Sequence, residues 1–129
     1  MSGSLRVSVA MATYNGARFL PAQLASIAAQ TRPPDELVVG DDQSSDATEQ
    51  VIADFASRVP FPVRFTRNPA RLGSSQNFVA CLERCTGDVV LLTDQDDEWL
   101  PARIERTLAA LEAHPAAAYA FSDLSLIHI

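Results

Sequence analysis

The segment Asp94-Gln-Asp-Asp-Glu-Trp99 places three aspartates close together. Their negative charges raise one another's pKa values unless a cation compensates them. Carboxylate oxygens suit Mg²⁺ or Mn²⁺, which usually take one or two carboxylates together with phosphates of a substrate. A cation held by Asp94, Asp96 and Asp97 could bridge a diphosphate and stabilise its charge as it leaves. The alternative is a solvated turn that caps the following helix.

Polar residues also follow two other apolar runs. Asp42 follows one of these runs, where it is well placed to hold a base or a ribose through hydrogen bonds. Asp46, with Glu49 three positions on, resembles a capping box, and we interpret it mainly as a helix cap. The segment Thr13-Tyr14-Asn15 could form a turn, or its tyrosine could stack on a nucleobase, and both readings stay open.

The elements that would carry these residues follow from the apolar pattern. Five short apolar or β-branched runs predict strands, with helical spacing between them. This rhythm predicts an α/β fold, Rossmann-like, with right-handed crossovers and a mostly parallel sheet flanked by helices. Ligands of such sheets bind beyond the carboxyl ends of the strands, which is where the polar segments fall. The predicted strands are residues 5–12, 36–40, 63–66, 89–93 and 117–121.

Composition limits the classes of function. The chain has 129 residues, 47% of them hydrophobic, and a net charge of −6, which indicates one globular domain and argues against nucleic acid as a partner. An acidic protein that binds an anionic nucleotide needs a cation or a helix N-terminus to offset the charge. A P-loop, a Gly-x-Gly-x-x-Gly loop and a Ser-His-acid triad are all missing, which argues against an ATPase, a dinucleotide oxidoreductase and a triad hydrolase.

Cys81 and Cys85 stand one helical turn apart, and His114 and His128 are isolated, so a zinc site is not expected. We interpret both cysteines as core residues in a reduced compartment. The N-terminus lacks the apolar core of a signal peptide, and no run is long enough to span a bilayer. These features predict a cytoplasmic protein. Any association with the inner face of the membrane would have to come through parts outside this chain.

Three motifs together resemble the family 2 glycosyltransferases of the GT-A fold. They are Val7-Ser-Val-Ala-Met-Ala-Thr-Tyr-Asn-Gly16, Gly40-Asp-Asp-Gln-Ser-Ser-Asp-Ala-Thr48 and Leu92-Thr-Asp-Gln-Asp-Asp-Glu-Trp99. The last is similar to the D-x-D signature in the form common among rhamnosyltransferase-like members of bacterial polysaccharide pathways. The resemblance extends from about residue 5 to residue 123 and implies an inverting transfer of a sugar from a nucleoside diphosphate sugar to an acceptor hydroxyl.

The resemblance also implies roles for single residues. Thr13, Tyr14, Asn15 and Asp42 would contact the base and ribose of a UDP- or dTDP-linked sugar, and the acceptor would be a carbohydrate or a lipid-linked molecule. Asp94 would bind the donor, and Asp96, assisted by Asp97, would bind Mn²⁺ or Mg²⁺. Two departures are noted: Gln43 stands where the family usually has glycine, and Gln76-Asn77 where many members have Arg-Asn.

The family's catalytic base is an acidic residue well past the D-x-D signature, and no position of this chain matches it; Asp123 is not assigned to that role. We therefore expect residues 1–123 to be the N-terminal part of a nucleotide-sugar-binding domain and the chain as given to be inactive. Residues 124–129 resemble a translated transposon end, which predicts a non-native tail. The alternatives are a non-catalytic nucleotide-binding fragment and a metal-dependent nucleotidyltransferase. The latter would normally carry a Gly-rich basic loop after the first strand.

Overall fold

A computed structural model describes residues 5–94, 98–113, 117–120 and 126–128. Its main element is a four-stranded sheet in which all neighbouring strands are parallel. The strand order is β3-β2-β1-β4, so the chain adds strands first on one side of β1 and then on the other. The strands are β1 Val7–Thr13, β2 Glu36–Asp41, β3 Val63–Arg67 and β4 Val89–Asp94.

Helices cover both faces of this sheet. Every residue of β1 is buried, as expected for a central parallel strand, and alternate side chains point to opposite faces. Val9 and Met11 belong to the larger core, whereas Ala10 packs with Val38 and Cys81 on the other face. The helices α1, α2 and α4 contribute to the larger core and α3 to the smaller one. They are α1 Leu20–Ala28, α2 Thr48–Ala56, α3 Ser74–Arg84 and α4 Arg103–Ala113.

The smaller core is tightly packed where α3 crosses β2. A Cβ atom at Gly40 would lie 2.5 Å from Asn77 Oδ1 and 3.0 Å from Cys81 Sγ, so a side chain has no space there. Burial raises the pKa of Cys81 to about 11, which keeps the thiol neutral. Both cysteines are free thiols, and the prediction that Cys81 is a core residue is confirmed.

A buried carboxylate holds the amino end of the sheet together. Glu36, at the start of β2, is 2% exposed. Its side chain accepts hydrogen bonds from Ser8 Oγ at 2.6 Å, from Thr86 N at 2.7 Å and from Arg64 Nη2 at 2.8 Å. Burial by itself raises the pKa of Glu36, but these hydrogen bonds outweigh it and lower the pKa to about 2. The carboxylate therefore links β1, β2, β3 and the loop before β4 while it stays ionised.

One expectation about the sheet is corrected. The fifth predicted strand forms as β5, Ala117–Ala120, but it pairs antiparallel with β6, Leu126–His128, in a separate two-stranded sheet. β6 lies within residues 124–129, whose non-native origin stays a prediction. The helix α3 begins at Ser74, and its N-cap is Gly73. In the described part of the chain, no helix is both long and apolar enough to cross a bilayer.

Candidate functional site at the carboxyl edge of the sheet

Three of the polar segments meet at one edge of the sheet. Thr13, at the end of β1, pairs in register with Asp41 at the end of β2, and Ala12 pairs with Asp94 at the end of β4. The loops that follow these strands therefore start side by side. This arrangement confirms the predicted edge, where open α/β sheets bind ligands.

Asp41 is the buried centre of this edge. Its carboxylate has no exposed surface and accepts hydrogen bonds from Thr13 Oγ1 at 2.7 Å and from Ser44 N at 2.9 Å. Arg67 Nη1, at the end of β3, lies 3.5 Å away. The Thr13 hydroxyl, predicted to contact the donor, is thus bonded to Asp41, and Thr13 itself is 1% exposed. Both residues fix the positions of the loops on which a ligand would rest.

The residues after β1 form a turn, as one of the two interpretations of the segment Thr13-Tyr14-Asn15 predicted. Asn15 adopts a left-handed conformation with φ 49°, which asparagine tolerates better than most residues. Its Oδ1 accepts a hydrogen bond from Ser45 N at 2.7 Å, and its backbone N–H donates to Ser44 Oγ at 2.8 Å. The turn leaves Tyr14 41% exposed, and the stacking of a nucleobase on its ring stays a prediction. A turn at this position does not conflict with a stacking role for Tyr14.

Gln43 stands where the family usually has glycine, and its backbone adopts a conformation that glycine favours. Its φ is 71°, in the left-handed region that favours glycine. The Gln43 amide N–H donates to the Asn68 carbonyl, and its Oε1 accepts from Arg67 Nη2 at 3.4 Å. These side-chain bonds help to hold the residue in its strained conformation. The departure from the family motif therefore leaves the turn intact.

Asp42 lies at the centre of a second buried network, and it is 3% exposed. Its carboxylate accepts hydrogen bonds from Leu72 N at 2.7 Å, Gly73 N at 3.0 Å, Asn68 Nδ2 at 3.2 Å and Arg71 Nε at 3.3 Å. Burial raises the pKa of Asp42, but these donors outweigh it and lower the pKa below its usual value. Asp42 therefore fixes the loop between β3 and α3.

The sequence reading missed this loop as a part of the site, because residues 68–73 resembled an ordinary connection. Asn68 is 1% exposed and also donates to Asn77 Oδ1 at 3.0 Å. Asn77 in turn donates to the Gly40 carbonyl at 2.8 Å. Asn68 and Asn77 were the signal in the sequence that could have indicated this loop, because buried amide side chains need hydrogen-bond partners.

Asp46 joins the first two loops. Its carboxylate accepts from Thr48 N at 2.9 Å, at the first residue of α2, and from Ala17 N at 3.2 Å. These bonds, those from Thr48 above all, lower the pKa of Asp46 against a smaller opposing effect of burial. The predicted capping box is corrected: the N-cap of α2 is Ala47, which makes no side-chain capping bond. Asp46 lies one residue before it and bonds Thr48, and no described hydrogen bond joins it to Glu49.

The D-x-D segment is anchored at both ends. Asp94 is the last residue of β4, and the preceding Thr93 accepts a hydrogen bond from Gln23 Nε2 at 2.5 Å. On the other side, Trp99 is 5% exposed within the larger core, and its backbone N–H donates to Ser26 Oγ at 3.0 Å. The predicted metal ligands Asp96 and Asp97 lie outside the described residues. Among the residues that are described, no group of three or more His, Cys, Asp or Glu side chains could hold a metal.

Comparison with known proteins identifies the class. Residues 8–123 match the family model Glycosyl transferase family 2, and the chain belongs to this family. It is similar to EpsE of Bacillus subtilis, with 34% identity over 116 residues that cover 88% of this chain and 41% of EpsE. It is also similar to the amylovoran biosynthesis glycosyltransferase AmsE of Erwinia amylovora, with 37% identity over 93 residues, or 71% of this chain and 34% of AmsE.

Solved structures agree with the fold. TarS of S. aureus, residues 1–349 in complex with UDP-GlcNAc, superposes with a TM-score of 0.77 at 25% identity over 85% of this chain and 32% of that one. The mannosyltransferase PcManGT of Pyrobaculum calidifontis, in complex with GDP-Man and Mn²⁺, gives a TM-score of 0.76 at 33% identity over 90% of this chain and 34% of that one. The chain thus spans between 32% and 41% of each of these four chains.

Proposed function

We propose that this chain supplies the nucleotide-sugar-binding part of an inverting glycosyltransferase that acts in the synthesis of a cell-surface polysaccharide. The observation that carries the proposal is the meeting of three family motifs at the carboxyl edge of one parallel sheet. The complexes of TarS with UDP-GlcNAc and of PcManGT with GDP-Man support a nucleoside diphosphate sugar as the donor. The acceptor would be a carbohydrate or a lipid-linked hydroxyl.

In this proposal the residues of the edge divide into two roles. Tyr14 stacks on the base of the donor, since it is the exposed aromatic side chain of the turn. Thr13, Asn15 and Asp41 shape that turn through their hydrogen bonds. Asp42 contributes to the base and ribose subsite through the loop that it holds. A carboxylate offers about four lone-pair positions, and four donors already use them.

A divalent cation is the proposed cofactor. Asp96, with Asp97 assisting, would hold Mn²⁺ or Mg²⁺, and Asp94 would bind the donor; carboxylates are the ligands that these ions prefer. The tethering of the segment by β4 and by Trp99 fits a site that has to keep its carboxylates together. When bound, the cation supplies positive charge next to the diphosphate that leaves. Mn²⁺ is present in the solved PcManGT complex.

The experiment that tests the proposal is calorimetry of UDP and GDP binding with Mn²⁺ and after chelation by EDTA. We expect chelation to weaken binding, and Asp96→Ala to remove the metal-dependent part while the thermal unfolding temperature stays close to that of the wild type. Asp54→Ala is the matched control, because it removes one negative charge from the exposed face of α2. Equal affinity with and without metal would overturn the cofactor, and no binding at all would overturn the donor site.

A second candidate is a nucleotide-binding unit without catalysis of its own. It is favoured by the carboxylates of Asp41, Asp42 and Asp46, which all accept hydrogen bonds from backbone N–H groups of the protein itself. Both candidates predict nucleotide binding. They differ in transfer of a labelled sugar from the donor to an acceptor, since measurable transfer would reject the second candidate.

A further inference from the structure

The ring of Tyr14 is covered by an arginine. The Cζ atom of Arg71 lies 3.8 Å from the centroid of the Tyr14 ring, well within the distance at which a guanidinium is attracted to an aromatic face. Tyr14 is 41% exposed and the Arg71 side chain 56% exposed. The pair therefore lies at the rim of the site and connects the loop after β1 with the loop after β3.

Asp42 orients this arginine. Arg71 Nε donates to Asp42 Oδ2 at 3.3 Å, and the next two residues along the chain, Leu72 and Gly73, donate their backbone N–H groups to the same carboxylate. Both the guanidinium and the backbone that carries it are thus held by one anchor. A planar guanidinium fixed in this way stacks on a ring in a manner that the compact ammonium group of lysine does not reproduce.

We propose that Arg71 is a positioning residue for the nucleobase. It fixes the Tyr14 ring from one side, and the base of the donor stacks on the ring that is held there. This inference rests on the proposed function, because it assigns the ring to the nucleotide-sugar site. A ring that is already immobilised loses less freedom when a base stacks on it, so binding costs less entropy. Arg71 acts through Tyr14 and leaves the diphosphate to other groups.

The test separates the base from the phosphates. Binding of UDP, GDP and inorganic pyrophosphate to the full chain is measured by calorimetry with Mg²⁺ present. Arg71→Met removes the guanidinium and keeps a long apolar side chain, whereas Arg71→Lys keeps the charge without the plane. We expect both variants to weaken binding of the better nucleotide about two- to fivefold and to leave pyrophosphate binding unchanged.

Two controls accompany the variants. Arg58→Met removes the same charge from an exposed position two residues after α2. The Arg58 Nε bonds only the Asp54 carbonyl among the contacts described, so this variant should bind nucleotide like the wild type. In a Tyr14→Leu background, Arg71→Met should cause no further loss, because two residues that act as a unit are not additive. An additive double variant would contradict the inference.

Three further outcomes would overturn it. Unchanged nucleotide affinity in Arg71→Met would mean that the ring needs no support. An equal loss of pyrophosphate binding would show that the guanidinium acts on the phosphates, and full rescue by Arg71→Lys would show that charge alone matters. In each of these cases the wild type still binds nucleotide, so the proposed function stands. If the wild type binds neither UDP nor GDP, the proposed function is wrong and the role of Arg71 is wrong with it.

Discussion

Replacing Glu36 with glutamine should make the fold less stable, by an amount that depends on pH. The pKa of this carboxyl is about 2 in the folded protein against an ordinary value of 4.5. Because the folded-state pKa is depressed, the stabilisation is present above the unfolded-state pKa and is lost as the pH falls from about 5 towards 2. The difference between the two pKa values corresponds to about 3 kcal/mol at pH 7 and about 1 kcal/mol at pH 3.

Urea unfolding of the wild type and of Glu36→Gln at both pH values measures this effect. The difference in unfolding free energy between the two proteins should be about 3 kcal/mol at pH 7 and should shrink to about a third of that at pH 3. Glu83→Gln, at an exposed position of α3, is the control and should change little at either pH. A destabilisation that is the same at both pH values, or none at pH 7, would refute the view that Glu36 is held ionised by its donors.

Two other substitutions probe the carboxyl edge and the packing beneath it. Asp42→Ala should weaken nucleotide binding roughly ten- to a hundredfold even in metal-free buffer, because it removes the acceptor that holds Leu72 and Gly73. An unchanged dissociation constant would show that the loop held by Asp42 contributes nothing to nucleotide binding. Gly40→Ala should lower stability by about 1–3 kcal/mol in thermal unfolding, because the new methyl group would meet Asn77 and Cys81, and a variant as stable as the wild type would show that α3 can shift.

The parallel sheet could be predicted from the sequence because each central strand is a mostly apolar run. The polar residues that follow these runs mark the carboxyl edge of the sheet. The turn at Asn15 could be predicted too, since the turn residues are local. The N-cap of α3 at Gly73 could not be predicted from the sequence. That position depends on a hydrogen bond to Asp42, which is distant in the sequence and near only in the fold. The pairing of β5 with β6 could not be predicted either, because the sequence of a short apolar strand does not indicate which strand it pairs with.

The position of Asp42 also affects whether the amino end of α3 can bind an anion. The amino end of a helix attracts anions through its aligned backbone dipoles. At α3 the resident carboxylate of Asp42 already lies against Gly73, the residue that precedes the first turn. The carboxylate of Asp42 therefore already neutralises the positive end of this helix, which attracts a diphosphate only weakly. In a chain with a net charge of −6, the proposed diphosphate leaving group would need another source of positive charge, and the divalent ion proposed at the D-x-D segment would supply it.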